Sequence, residues 1–131
     1  KIKRLDDLIK IKKINFNNKK VDFIKIDVEG YELDIIKGAK NFLKKHKPII
    51  LIELDIKILG KKKINKIFFI LKKLRYNSFY SNNGIKFKST SEKNLPYLQN
   101  DRFFKKDITK QRQLKKGERR YYINNFWFFP K

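Results

Sequence analysis

Apolar positions along the 131 residues change period several times, and each change marks an element. Ile2, Leu5, Leu8 and Ile9 recur at helical spacing, which predicts a short amphipathic helix within residues 1–13. The polar run NFNNKK, residues 15–20, reads as a turn. Residues 21–28 alternate: Phe23, Lys25 and Asp27 share one face, and Ile24, Ile26 and Val28 the other. Residues 29–47 return to helical spacing, with Leu33, Ile36, Ala39 and Leu43 as the buried stripe and Ile35 and Phe42 widening it. Glu29, Glu32 and Asp34 crowd its first turn and Lys44, Lys45, His46 and Lys47 its last, as a helix dipole favours. Gly38 costs this helix about 1 kcal/mol relative to Ala and reads as a point of close approach to the sheet. Pro48 ends it, and residues 49–54 are apolar enough for a strand buried on both faces.

Beyond that strand, residues 55–63, with Gly60, read as a loop. Ile64, Ile67, Phe68, Leu71 and Leu74 mark a second amphipathic helix ending near Tyr76. Residues 77–81 and 85–88 flank Asn82-Asn83-Gly84, a hairpin signal because Asn-Gly tolerates positive φ. Residues 89–100, with Pro96, read as loop, and residues 101–120 as a basic stretch of poor periodicity. Residues 121–129 form an aromatic strand whose Phe126, Trp127, Phe128 and Phe129 read as core rather than as a stacking platform. Parallel strand–helix–strand units followed by an antiparallel finish predict one α/β domain with a mixed sheet and flanking helices. Asp27, Glu29 and Glu53 then stand at the ends of two strands, where open α/β sheets bind their ligands.

Composition adjusts this picture. With 35 Lys and Arg against 13 Asp and Glu, the formal net charge is +22. Such a charge fits nucleic acid, anionic lipid or a polyanionic glycan. The excess is mostly Lys, spread along the chain and accompanied by Ile, Asn and Phe, all residues with AT-rich codons. Arg, the better phosphate reader, occurs only at Arg4, Arg75, Arg102, Arg112, Arg119 and Arg120. Codon bias therefore ranks ahead of nucleic-acid binding as the source of the charge. A non-catalytic basic module for nucleic acid or anionic glycan is the alternative reading. The Lys61-Lys62-Lys63 run and the cluster at residues 115–120 read as solvated surface, the second within reach of an acidic substrate. The absence of Cys excludes disulfides and thiolate metal sites. The single His, His46, reads as a solvated helix-end residue, so no zinc centre is expected. No run is long enough to span a bilayer or shaped like a signal peptide, and the lack of Cys fits a reducing compartment, so a cytoplasmic setting is expected. The start at Lys1 and the absence of Met mark the chain as a piece of something larger.

The segment FIKIDVEGYELDIIKGA, followed by a helix end and KPIILIELD, resembles the C-terminal half of the FkbM-type methyltransferases. The likeness lies in Lys25-x-Asp27-x-Glu29-Gly30 closing a strand, in Lys37-Gly38-Ala39 within an acidic-started helix, and in a strand after Lys47-Pro48 that ends in Glu53. Residues 5–9, LDDLI, and the ending NNFWFFPK are also similar to that family. The resemblance implies a partial class I, Rossmann-like fold holding the fourth to seventh strands of a seven-stranded sheet. It implies S-adenosylmethionine as methyl donor and a hydroxyl of a sugar or small metabolite as acceptor. The family's donor-binding strands and Gly-rich turn have no counterpart, since the five glycines show no G-x-G spacing. Residues 1–131 thus read as the C-terminal part of one such domain, either incomplete or an inactive remnant.

Methyl transfer is an in-line displacement that aligns an acceptor oxygen with the methyl group and often removes the acceptor proton. Asp27 and Glu29 are the candidate catalytic residues, and Asp27 and Gly30 the candidate donor-binding ones. Asp27 could instead cap the helix that follows, or hold a Mg²⁺ ion. Lys25 and Glu53 read as a structural pair or as cleft residues, with Asp27 as the other partner open to Lys25. A desolvated Lys25 could also act as a base.

Overall fold

The computed structural model describes residues 3–17, 19–81, 84–99 and 122–131. The turn at Asn82-Asn83, the basic stretch at 101–120 with its cluster at 115–120, and Tyr121 lie outside the described residues. The expected α/β mixed sheet is present. Helix α1 (Leu5–Lys10) leads to strand β1 (Phe23–Ile26), helices α2 (Glu32–Gly38) and α3 (Lys40–His46), and strand β2 (Ile49–Glu53). Helix α4 (Ile56–Lys73), strands β3 (Tyr76–Ser81) and β4 (Phe87–Ser89), the short helix α5 (Leu95–Leu98) and strand β5 (Asn125–Pro130) follow. The sheet order is β1-β2-β5-β3-β4. β1 and β2 are parallel, while β5 lies antiparallel between β2 and β3. The last strand in sequence is thus the middle strand of the sheet.

The period-2 alternation sends Ile26, Ile50, Ile52, Phe126 and Phe128 to one face, where they join Leu33, Ile36, Leu43, Ile64, Ile67 and Leu71 in a single core. On the other face, Trp127 and Phe129 are half-buried. Phe87 packs edge-on against both, with ring centroids 5.4 Å apart in each case. Phe23 meets Trp127 at 6.1 Å. Phe23 and Phe87 remain 49% and 40% exposed. The aromatic ending therefore splits: Phe126 and Phe128 are core, as expected, whereas Trp127 and Phe129 belong to an aromatic face open to solvent. Ile49 and Leu51 are likewise only half-buried, so β2 is fully covered on one face alone.

Four local expectations are corrected. The long helix at 29–47 is two short ones, broken at Ala39 (φ −120°). Ala39 brings no capping side chain, and the Asp6 carboxylate of α1 does that work, accepting from the Asn41 and Phe42 amides at 2.9 Å each. Gly38 makes its close approach to α1 rather than to the sheet: a Cβ there would stand 3.3 Å from Arg4 Cβ. The expected loop at 55–63 is instead the start of α4, capped by Asp55 through the Lys57 amide (2.7 Å) and kinked at Gly60 (φ 71°, ψ 154°). His46 is partly buried rather than solvated. It stacks on Phe42 (4.6 Å), meets the Phe16 ring edge-on (5.4 Å), and its Nδ1 accepts from the Val21 amide at 3.3 Å.

Candidate functional site

The connection leaving β1 sets the geometry of the site. Glu29 holds a left-handed backbone (φ 43°) and Gly30 an even less common one (φ 105°). A Cβ on Gly30 would touch Ile58 Cγ2 at 3.4 Å, so this residue serves the turn's backbone and its packing on α4. Glu32, only 3% exposed, locks the turn from below. Both its carboxylate oxygens accept from the Gly30 amide at 3.1 Å, and one also accepts from the Val28 amide at 3.4 Å. Lys63 ties the turn from above, donating to the Gly30 carbonyl at 3.2 Å. Lys61, Lys62 and Lys63 are exposed, as expected, and Lys63 makes this bond from the surface. Asp27 does not cap the following helix, whose first position is Tyr31 with no side-chain cap.

Lys25 finds its partner on its own strand, Asp27 Oδ2 at 3.0 Å. Both side chains keep substantial solvent contact, so the pair adds little stability. The alternative pairing of Lys25 with Glu53 is not formed. Lys25 sits opposite Leu51 in the parallel register, and Glu53 accepts instead from Asn124 Nδ2. Glu53 faces Asp27, and partial burial together with that neighbouring carboxylate holds the Glu53 pKa above its ordinary value near 4.5. Asp55, two residues beyond the end of β2, accepts from the Tyr122 hydroxyl at 2.7 Å. Buried Gln99 joins the elements around it: its Nε2 donates to the Leu54 and Ile123 carbonyls, and its Oε1 accepts from the Ile56 amide at 2.9 Å.

The structure thus brings Asp27, Glu29 and Glu53 together. With Glu32, Asp55, Ile58 and Leu59 they line one cavity of about 80 Å³. Pockets that enclose a cofactor-sized molecule run to roughly 300–1,000 Å³, so these residues form a wall rather than an enclosure. No group of three or more His, Asp or Glu among the described residues is placed to hold a metal ion. Sequence reasoning missed Glu32 and Asp55 as parts of the site. Asp55 carried a signal, an acid directly before an apolar-periodic run; Glu32 looked like an ordinary first-turn acid. No described helix is long and apolar enough to cross a membrane.

Compared with known protein families, residues 2–79 match the Methyltransferase FkbM domain. Neither the curated proteins nor the solved structures give a match. The matched segment spans more than half of the 131 residues and contains β1, the Glu29-Gly30 turn, α2 to α4, β2 and part of β3. A sequence match of that extent, with strand, acidic turn and parallel strand in the order expected of it, identifies the chain as a member of the FkbM methyltransferase domain family.

Proposed function

We propose that this chain forms the acceptor side of an S-adenosylmethionine-dependent methyltransferase cleft that methylates a hydroxyl of a sugar or small metabolite. The observation that carries the reading is the convergence of Asp27, Glu29 and Glu53 at the carboxyl ends of β1 and β2, inside the family segment. The carboxylate lining suits a donor that carries a sulfonium and an amine. The small cavity does not enclose such a molecule, so the described residues supply one wall, and the Gly-rich donor turn belongs outside them. When bound, the donor supplies an electrophilic methyl group.

The chain's own residues orient and deprotonate the acceptor. Asp27, its charge balanced by Lys25, accepts a hydrogen bond and fixes the acceptor's position. Glu53, with raised proton affinity and one oxygen held by Asn124, is the better base and takes the hydroxyl proton. Glu29 is the residue through which the strained turn meets the donor. The test is calorimetric titration of S-adenosylmethionine into the protein made from its full reading frame. Saturable binding that Glu29→Ala or Asp27→Ala weakens at least tenfold, with thermal melts unchanged, supports the reading. Absence of donor binding by that protein, with steeply salt-dependent binding to nucleic acid, overturns it in favour of a basic module.

A further inference from the structure

A second concavity lies far from the carboxylates. It opens between the C-terminal half of α4, the start of β3 and the segment after β4, and has a volume of about 750 Å³. That is within the range of small-molecule sites. It sits by Tyr76, which pairs with Pro130 at the far end of β5, whereas Glu53 pairs with Asn125 at the near end. The two sites are therefore roughly 17 Å apart along β5.

The lining has a consistent chemistry. Lys66, Lys72, Lys93 and Lys131 face one side-chain carboxylate, Glu92. None of the four is in an ion pair among the described residues. Lys66, Phe69 and Lys72 recur every three residues along the exposed side of α4, which sets an aromatic ring between two ammonium groups. Phe69 is 57% exposed, and Lys73 Nζ stands 4.6 Å from its ring centroid. Phe68 and Phe128 form an apolar floor, with their rings 5.2 Å apart. The far wall is fixed: Ser78 Oγ donates to the Thr90 carbonyl at 2.7 Å, and the Thr90 amide to the Ser78 carbonyl at 3.0 Å. A concave surface with four cations against a single side-chain carboxylate, and with an exposed ring, is complementary to a phosphate group attached to a planar ring.

We infer that this groove binds a small phosphorylated ligand with a planar ring, of the nucleoside diphosphate class, with Lys66, Lys72 and Lys93 on the phosphates and Phe69 against the ring. The test uses the full chain in 150 mM salt, with uridine diphosphate and pyrophosphate as probes in amide-resolved NMR titrations. Saturable shifts at Lys66, Lys72, Thr90 and Lys93 are expected, with uridine diphosphate at least tenfold tighter than pyrophosphate. Lys66→Glu with Lys72→Glu should weaken binding at least tenfold, while Lys44→Glu with Lys45→Glu on the exposed end of α3 should not. Equal loss in both double variants overturns the site, since it would reveal binding to diffuse positive charge. Equal affinity for the two probes overturns the ring contact. Tighter binding of a single-stranded oligonucleotide through the same residues would replace the inference with a nucleic-acid surface. Donor binding is not an input to any of these readouts, so the outcome is independent of the methyltransferase reading.

Discussion

Glu29 holds a left-handed backbone that glycine holds at lower cost, beside Gly30, whose φ of 105° no other residue adopts comfortably. The family segment places a carboxylate at the first of these positions, and on the function proposed above this strain is kept for chemistry. Glu29→Gly should stabilise the fold by up to about 1 kcal/mol, read from the urea midpoint, while weakening donor binding. A loss of stability would show instead that the carboxylate itself holds the turn. Glu53 gives a pH-dependent counterpart. Its pKa is raised in the folded chain, so the proton is held more tightly folded than unfolded. The stabilisation that follows is full below the ordinary value near 4.5 and is lost as pH rises through the folded value. Glu53→Gln, which keeps an oxygen for Asn124, should therefore raise Tm at pH 7 by roughly 1–3 °C and give no gain in melts at pH 3.5. At this scale the sequence narrowed the partners of Lys25 to Asp27 and Glu53 without choosing between them. Period-2 spacing made the Lys25–Asp27 pair one of the two candidates, whereas the Glu53–Asn124 bond depends on which strand lies beside β2. His46 looked solvated among lysines because nothing local announces that Phe16 will close over it.

Elements were legible where one pattern governed them and misread where two competed. The stripe from Leu33 to Leu43 continues through Ala39, so it concealed the break that Gly38 and Ala39 introduce. The fragments are seven residues each, too short to be stable alone, and α3 begins on a residue that cannot cap it. Asp6, from another helix, supplies the two missing acceptor contacts. Asp6→Ala should cost about 1–2 kcal/mol, measured by chemical denaturation, with amide exchange rising first at Asn41 and Phe42. Unchanged exchange there would mean that packing on Phe16 and His46, not the cap, holds α3. At α4 the conflict ran the other way. Gly60 reads as loop punctuation, although Asp55 and the apolar residues Ile56 and Leu59 signal a helix. The backbone honours both signals, forming the helix and bending it at Gly60.

For the molecule as a whole, the fold class was readable and the strand order was not. Alternation gave the strands, but nothing in linear order says that β5 lies between β2 and β3. The same alternation leaves one face of the sheet aromatic and half-open, with Phe23 and Phe87 as its most exposed rings. Apolar patches of this kind drive association. Phe23→Ser with Phe87→Ser should reduce concentration-dependent self-association in sedimentation velocity and lower dye binding, with far-ultraviolet circular dichroism unchanged. Equal sedimentation of the two proteins would show that the face is inert. The central place of β5 has a further consequence during synthesis. About 70 residues separate β2 from β5, which at about 5–20 residues per second is an interval of roughly 4–14 s on the ribosome. Through that interval β2 has an unpaired edge, and Ile50 and Ile52 lack Phe126 and Phe128 beside them. The emerging polypeptide is then a half-finished sheet with an adhesive border, which makes it a natural client for nascent-chain chaperones.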